Sequence, residues 1–303
     1  MMANARRRSV VWIELVLVIL AGQGLVAASA ADPRLTYELV GPTPEEISRL
    51  SEIGRDVLRR ADKWHVGRSD NFYVFAGTPS ELTSMIGQAE LAHRRIGQAL
   101  MLETRSTNRA YVISVTNNRQ WRRLVGRYGV RRDGLAMHIG RELYMKDDKD
   151  QARRPDRVAH EVIHLRLSDA FSGHIPLWLD EGLAEYYGWL FAVEYHSRRD
   201  VLLFRNFPPL EERDLIPSGK FFVMNEYPLS EKNVKAFYRQ ADEMIGILSG
   251  HFLPGDWKTF LSIMTDASIA VADRLPRALS AMSLEMEAVL KEWKSRCLAA
   301  RRS

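Results

Sequence analysis

The chain has 303 residues, 46% hydrophobic and 27% charged, a length that suits one large domain or two small ones with a sizeable core. Cys297 is the only cysteine, which excludes an intrachain disulfide. The formal net charge of +5 is too mild to argue for a nucleic-acid partner, and none is expected.

The first 31 residues stand apart. Arg6, Arg7 and Arg8 precede an apolar run from Val10 to about Ala21, and Ala28-Ser29-Ala30 has the small-x-small form of a signal peptidase site. Residues 1–30 therefore read as a secretory signal peptide. The rival reading is an uncleaved anchor, since Val10 to Ala31 is long enough to span a bilayer. In both cases the arginines favour the inner side, so the body is expected outside the cytoplasm. A membrane partner is expected only if the segment stays uncleaved. Cleavage leaves 40 basic against 37 acidic residues.

Residues 32–44 hold three prolines and read as a linker. Thr43-Pro44-Glu45-Glu46 then opens a helix, with Thr43 as N-cap, and helical apolar spacing runs from Ile47 to about Trp64. Asn71 to Ala76 is rich in aromatic and β-branched residues and reads as a strand. Thr78-Pro79-Ser80-Glu81 starts a helix reaching about Leu100, and Arg109 to Val115 is a second strand. Trp121, Leu124, Val125 and Tyr128 follow at helical spacing, with Arg119, Arg122, Arg123 and Arg127 as a solvated basic face. Segments 134–139 and 142–146 read as a hairpin around Gly140-Arg141. Asp147-Asp148-Lys149-Asp150 lacks the alternating ligands and glycine of a calcium loop and reads as a solvated turn.

The next stretch, Arg154-Pro155-Asp156-Arg157-Val158-Ala159-His160-Glu161-Val162-Ile163-His164, carries His-Glu-x-x-His just after a proline that can open a helix. Positions i and i+4 share a helix face, so His160 and His164 can offer their imidazoles to one metal ion. Glu161 is placed beside that ion, where it can take a proton from water. A zinc site that does chemistry wants three protein ligands and one open position. Trp178-Leu179-Asp180-Glu181-Gly182-Leu183-Ala184-Glu185-Tyr186 supplies Glu181 as the third, sixteen residues intervening after His164. Glu185, four residues further on the same face, can accept the other N–H of a ligand imidazole. The remaining histidines, including His138, have no partner at ligand spacing and read as structural or exposed.

Beyond about Arg199, residues 200–233 look irregular, with possible short strands at 201–204 and 221–224 and enough length to cover a cleft. Helical patterns then occupy about 234–252, 256–266, 271–281 and 283–300.

With Pro176-Leu177 before it, the Trp178–Tyr186 segment resembles the corresponding run in gluzincin metallopeptidases, closest to the bacterial peptidase MA-like type with its thermolysin-like core. The resemblance is strongest over about residues 150–190 and looser from about 70 to 265. It implies His160, His164 and Glu181 as zinc ligands, Glu161 as general base and Glu185 as the partner of a ligand imidazole. It also implies a Tyr or His donor from the helical half for the developing oxyanion, for which Tyr238 is the first candidate and His251 the second. An edge strand ahead of the metal helix would pair with a peptide substrate. The spacing of sixteen is shorter than in thermolysin or the zinc aminopeptidases, so the cleft is expected to be built differently.

The expected fold class is α+β: a small mixed β-sheet with a zinc-binding helix pair, then a mostly α-helical half. The expected organisation is a signal peptide over 1–30, linker and helix over 31–69, a metallopeptidase core over 70–199, and a helical part over 200–303 that completes the cleft. The expected function is an extracytoplasmic zinc metallopeptidase acting on peptide or protein substrates. The alternative is a non-catalytic binding or scaffold protein that retains the metal site. Nothing in the sequence speaks to oligomeric state.

Overall fold

In a computed structural model, the described residues are 36–59, 64–103, 108–128, 135–146, 154–171, 175–197, 209–253 and 255–299. The signal segment, the 147–150 turn and the 201–204 strand expectation lie outside them. Residues Leu35–Ser303 cluster as one unit. Among the described residues, no helix is long and apolar enough to cross a membrane.

The fold is α+β and is organised by strand alternation. Five strands, β1 (His65–Arg68), β2 (Phe72–Ala76), β3 (Ala110–Val115), β4 (Ala136–Ile139) and β5 (Glu142–Lys146), form one mixed sheet in the order β1-β2-β3-β5-β4. The central β2, β3 and β5 run parallel, and the outer β1 and β4 run antiparallel to their neighbours. Successive side chains point to opposite faces. Phe72, Val74, Val112, Leu143 and Met145 join the larger core on one face, and Tyr73, Phe75, Ile113, Met137 and Tyr144 join a smaller one on the other. Such strands, buried on both faces, carry near-continuous apolar runs, which is why β2 and β3 stand out in the sequence.

The smaller core is covered by α1 (Pro44–Ser48), α2 (Glu52–Arg59) and α4 (Asn118–Tyr128). Thr43 caps α1 as expected, in a capping box with Glu46. The single helix expected up to Trp64 is broken at residues 49–51. There the Ser51 backbone N–H donates to the Glu142 carboxylate, and the Ser51 hydroxyl accepts from the Gly54 amide at 3.0 Å. A buried acid on β5 thus takes a backbone donor that a continuous helix would have needed. The strand β1, absent from the sequence reading, pairs with β2 and also bridges Glu38 through Arg68.

On the other face lie α3 (Pro79–Ala99), α5 (Arg154–Ala170) and α6 (Leu177–His196), followed by α7 (Ser218–Phe221), α8 (Glu231–His251), α9 (Asp256–Met264), α10 (Val271–Ala281) and α11 (Met286–Leu298). The helix α5 is the central one, buried on nearly every side from Val158 to Leu167. At its start, Arg154 pairs with Glu81 at 3.2 Å. Glu81 in turn accepts from Ser114 of β3 at 2.7 Å and from the Gly77 amide at 3.0 Å. Near its end, Arg166 donates to the Leu102 carbonyl and to His93 of α3. The metal-motif helix is therefore tied to the sheet and to α3 at both ends.

The strand expected at 221–224 is instead a helix end and a turn: Phe221 ends α7, Phe222 caps it with αR dihedrals, and the turn continues through Val223. The apolar pair mimics a strand because both rings are buried, stacking around Trp178 of α6 and Trp293 of α11. Where α6 crosses α8 the backbones nearly touch. A Cβ on Gly182 would meet the Ala241 carbonyl oxygen and Ile245 Cγ1, each at 2.8 Å.

Two expectations follow. Gly182→Ala overpacks the α6–α8 crossing and lowers stability by about 1–3 kcal/mol, read from chemical denaturation. The second concerns His93, which is 8% exposed. Burial first, then the Arg166 and Arg141 charges, hold its imidazole down at about 3, against an ordinary 6.5. Below the ordinary value the unfolded chain binds a proton that the folded chain refuses. The His93 contribution is therefore fully present above about pH 6.5 and is lost as pH falls towards about 3. Between pH 7 and 5 the loss is about 2 kcal/mol. His93→Gln should flatten the pH dependence of the denaturation midpoint by about that amount.

Candidate metal centre

Two helices build the site. His160 and His164 stand one turn apart on α5, and Asp180, Glu181 and Glu185 lie along the facing side of α6. The two Nε2 atoms are 3.1 Å apart. Glu181 Oε2 lies 3.6 Å from His160 Nε2, and Oε1 lies 3.7 Å from His164 Nε2. His160, His164 and Glu181 each present one ligand atom within 4.8 Å of the others.

The outward nitrogens are also accounted for. Asp180 Oδ1 accepts from His164 Nδ1 at 2.9 Å, and Glu185 Oε1 faces His160 Nδ1 at 3.6 Å. A carboxylate on Nδ1 leaves Nε2 as the metal-facing atom and fixes the ring plane. The sequence assigned this task to Glu185 alone; Asp180, beside Glu181 in the same motif, carries the shorter contact.

The residues present fit a divalent ion. Nitrogen ligands at tetrahedral angles around zinc stand about 3.3 Å apart, close to the Nε2 separation seen. Glu181 is 4% exposed, and its Oε2 is a buried acceptor with no hydrogen-bond partner among the described residues. A buried carboxylate oxygen without a donor is costly unless a cation faces it. Two imidazoles and one carboxylate are a donor set that suits zinc.

Electrostatics point the same way. Burial alone pulls both imidazoles down. Glu181, Glu161 and Glu185 outweigh this at His160 and hold it up at about 10, while Asp180 and Glu181 hold His164 at about 9. Burial pushes the Glu181 carboxyl up, but His164, His160 and the Tyr227 hydroxyl outweigh it and bring it down to about 2. The cluster is arranged to hold positive charge, which protons or a dication can supply.

Glu161 projects from α5 beside this set and is 5% exposed. His138 approaches it from β4, with Nδ1 3.5 Å from Glu161 Oε2. The His138 ring also stacks on His164, centroids 4.8 Å apart and planes at 16°. This corrects the reading of His138 as lacking a partner. The signal was present: β4 alternates, and Ala136 and His138 share the face that looks towards α5.

Tyr238 on α8 packs edge-on against Phe237. Burial first, then Glu181, Glu185 and Glu161, push its hydroxyl well above the ordinary range, so it stands within the field of the cluster. Tyr227 reaches further in. Its hydroxyl donates to Glu181 Oε1, and its ring lies 6.3 Å from that of Tyr238. No periodicity or motif marks Tyr227, which sits in the irregular stretch before α8. Tyr227 also lines a groove of about 470 Å³ with Ile216, Met224, Pro228 and Leu229. His251 is not brought to the cluster. It ends α8, about 20 Å along the helix from Tyr238, and faces Glu292 at 3.5 Å.

No family model matches the chain, and no curated protein matches its sequence.

Removing the carboxylate from a ligand's outer nitrogen typically costs about 10–100-fold in metal affinity. Asp180→Asn should therefore weaken zinc binding by about that factor. Glu185→Gln should weaken it less, because its contact is longer and more exposed. Competition with a chromophoric chelator reads both.

Proposed function

We propose that this chain is an extracytoplasmic zinc metallopeptidase of the gluzincin type. The observation that supports it most is the convergence of His160 Nε2, His164 Nε2 and Glu181 on one point, with Glu161 beside them and both Nδ1 atoms backed by carboxylates. Zinc held there supplies a water of lowered pKa and polarises a carbonyl.

The chain's own residues do the rest. The Glu161 carboxylate accepts a proton from the attacking water as the C–O bond forms. It then delivers that proton to the amine nitrogen as the peptide C–N bond breaks. Charge grows meanwhile on the former carbonyl oxygen, and a fixed hydroxyl donor stabilises it. Tyr238 is the first candidate for that donor, and Tyr227 stands next to it with its hydroxyl donating to Glu181. The outer edge of β4, unpaired among the described residues and antiparallel to β5 on its inner side, offers backbone groups to an extended peptide. The groove beside Tyr227 suits an apolar side chain of that peptide.

The test is a mixed peptide library digested by the zinc-loaded mature chain, with cleavage sites mapped. Glu161→Gln should retain zinc and lose about 10²–10⁴-fold in rate. Tyr238→Phe should lose about 10²–10³-fold in kcat with KM little changed. Equal cleavage by wild type and Glu161→Gln would sink the mechanism. Zinc binding with no cleavage by either would favour the non-catalytic scaffold.

A further inference from the structure

The proposed reaction uses Glu161, His160, His164 and Glu181, and leaves His138 without a task. His138 is nonetheless held in place by the fold. On β4 it lies directly opposite Leu143 of β5, and cross-strand partners share a face. Leu143 belongs to the core on the α5 side, so strand alternation aims His138 at the metal helix. There its Nδ1 meets Glu161 Oε2 at 3.5 Å, too long for a strong hydrogen bond. Glu161 makes no hydrogen bond to a described residue in place of it, although its side chain is only 6% exposed. A nitrogen and a buried carboxylate oxygen thus face each other with no proton clearly shared.

His138, Glu161 and His164 each present a ligand atom within 4.8 Å of the others, as His160, His164 and Glu181 do. The two sets share His164, which cannot serve both. Its Nδ1 is bonded to Asp180, and its Nε2 faces His160 and Glu181. The second set therefore reduces to His138 Nδ1 and Glu161, completed by water. The side chain of His138 is one-third exposed, so an ion can reach it from solvent.

We propose that His138 and Glu161 form a second, weaker site for a zinc-like divalent cation beside the first. One imidazole nitrogen and one carboxylate oxygen match such an ion's preferences. Two protein ligands instead of three, with a like charge close by, make it the weaker of the two. Resting on the function proposed above, occupation of this site ties up the carboxylate that serves as base. Excess metal then becomes an inhibitor acting through β4.

The experiment counts ions rather than turnover. The purified mature chain is titrated with zinc against a competing chelator, and with cobalt followed by its visible absorption. Wild type should take one tight and one weaker equivalent. His138→Ala should lose the weaker equivalent and keep the tight one, which doubles as proof that the variant is folded. Glu161→Gln should also lose the weaker one, and Glu181→Gln should lose the tight one. One equivalent in wild type, or two in His138→Ala, overturns the second site while leaving the first intact. No tight equivalent in wild type overturns both the first site and this one.

Discussion

The constraint on which the structure depends is the burial of opposite charges where α5 meets α6. His164, Glu161 and Glu181 are each 5% exposed or less. Groups like these stay inside a protein only when each charge is faced by its opposite. The imidazoles of α5 must therefore meet the carboxylates of α6 at fixed height and rotation. Gly182 permits the α6–α8 approach next to Glu181, and the Arg154 and Arg166 anchors set the position of α5 against sheet and α3. Trp178, fully buried against Phe221 and Phe222, fixes the entry of α6. The motif glycine, tryptophan and arginines are packing devices that serve two turns of polar side chains.

Much of this was legible in the sequence because it is local. His160 and His164 share a face by helical spacing alone, and Glu181 and Glu185 by the same rule. The strands β2 and β3 announce themselves through continuous apolar runs, and the hairpin through Gly140, whose φ is +58°. What stayed hidden depends on non-local partners. The break between α1 and α2 is made by Glu142, more than ninety positions later in the chain. The Phe221-Phe222 pair reads as a strand until Trp178 and Trp293 are seen around it. His138 required knowing which face of β4 looks inward, and Tyr227 required the path of an irregular segment.

The site joins two styles of construction. The candidate ligands and the proposed base sit on helices whose ends are anchored, so their rotation and height vary little. Two hydroxyls in the field of these carboxylates come from Tyr238 in the first half of α8 and from Tyr227 in the segment just before it. Tyr227 is half-exposed overall while its hydroxyl lies on Glu181. A rigid charged centre is thus overhung by a tyrosine with few packing restraints on its outer side. Loops set on a rigid scaffold are where selectivity usually varies.

The last helix has a part in this arrangement. Trp293 of α11 donates to the Gln240 carbonyl at 2.7 Å, and Arg239 reaches the Arg296 and Ala299 carbonyls from the other side. The contact joins the helix of Tyr238 to residues more than fifty positions later. During synthesis, α5 and α6 emerge first and can pair before α8 has anything to lean on. The tyrosine-bearing wall is completed only when α11 docks. A nascent or shortened chain would hold the charged pair of helices without this wall, so order of synthesis itself delays its completion.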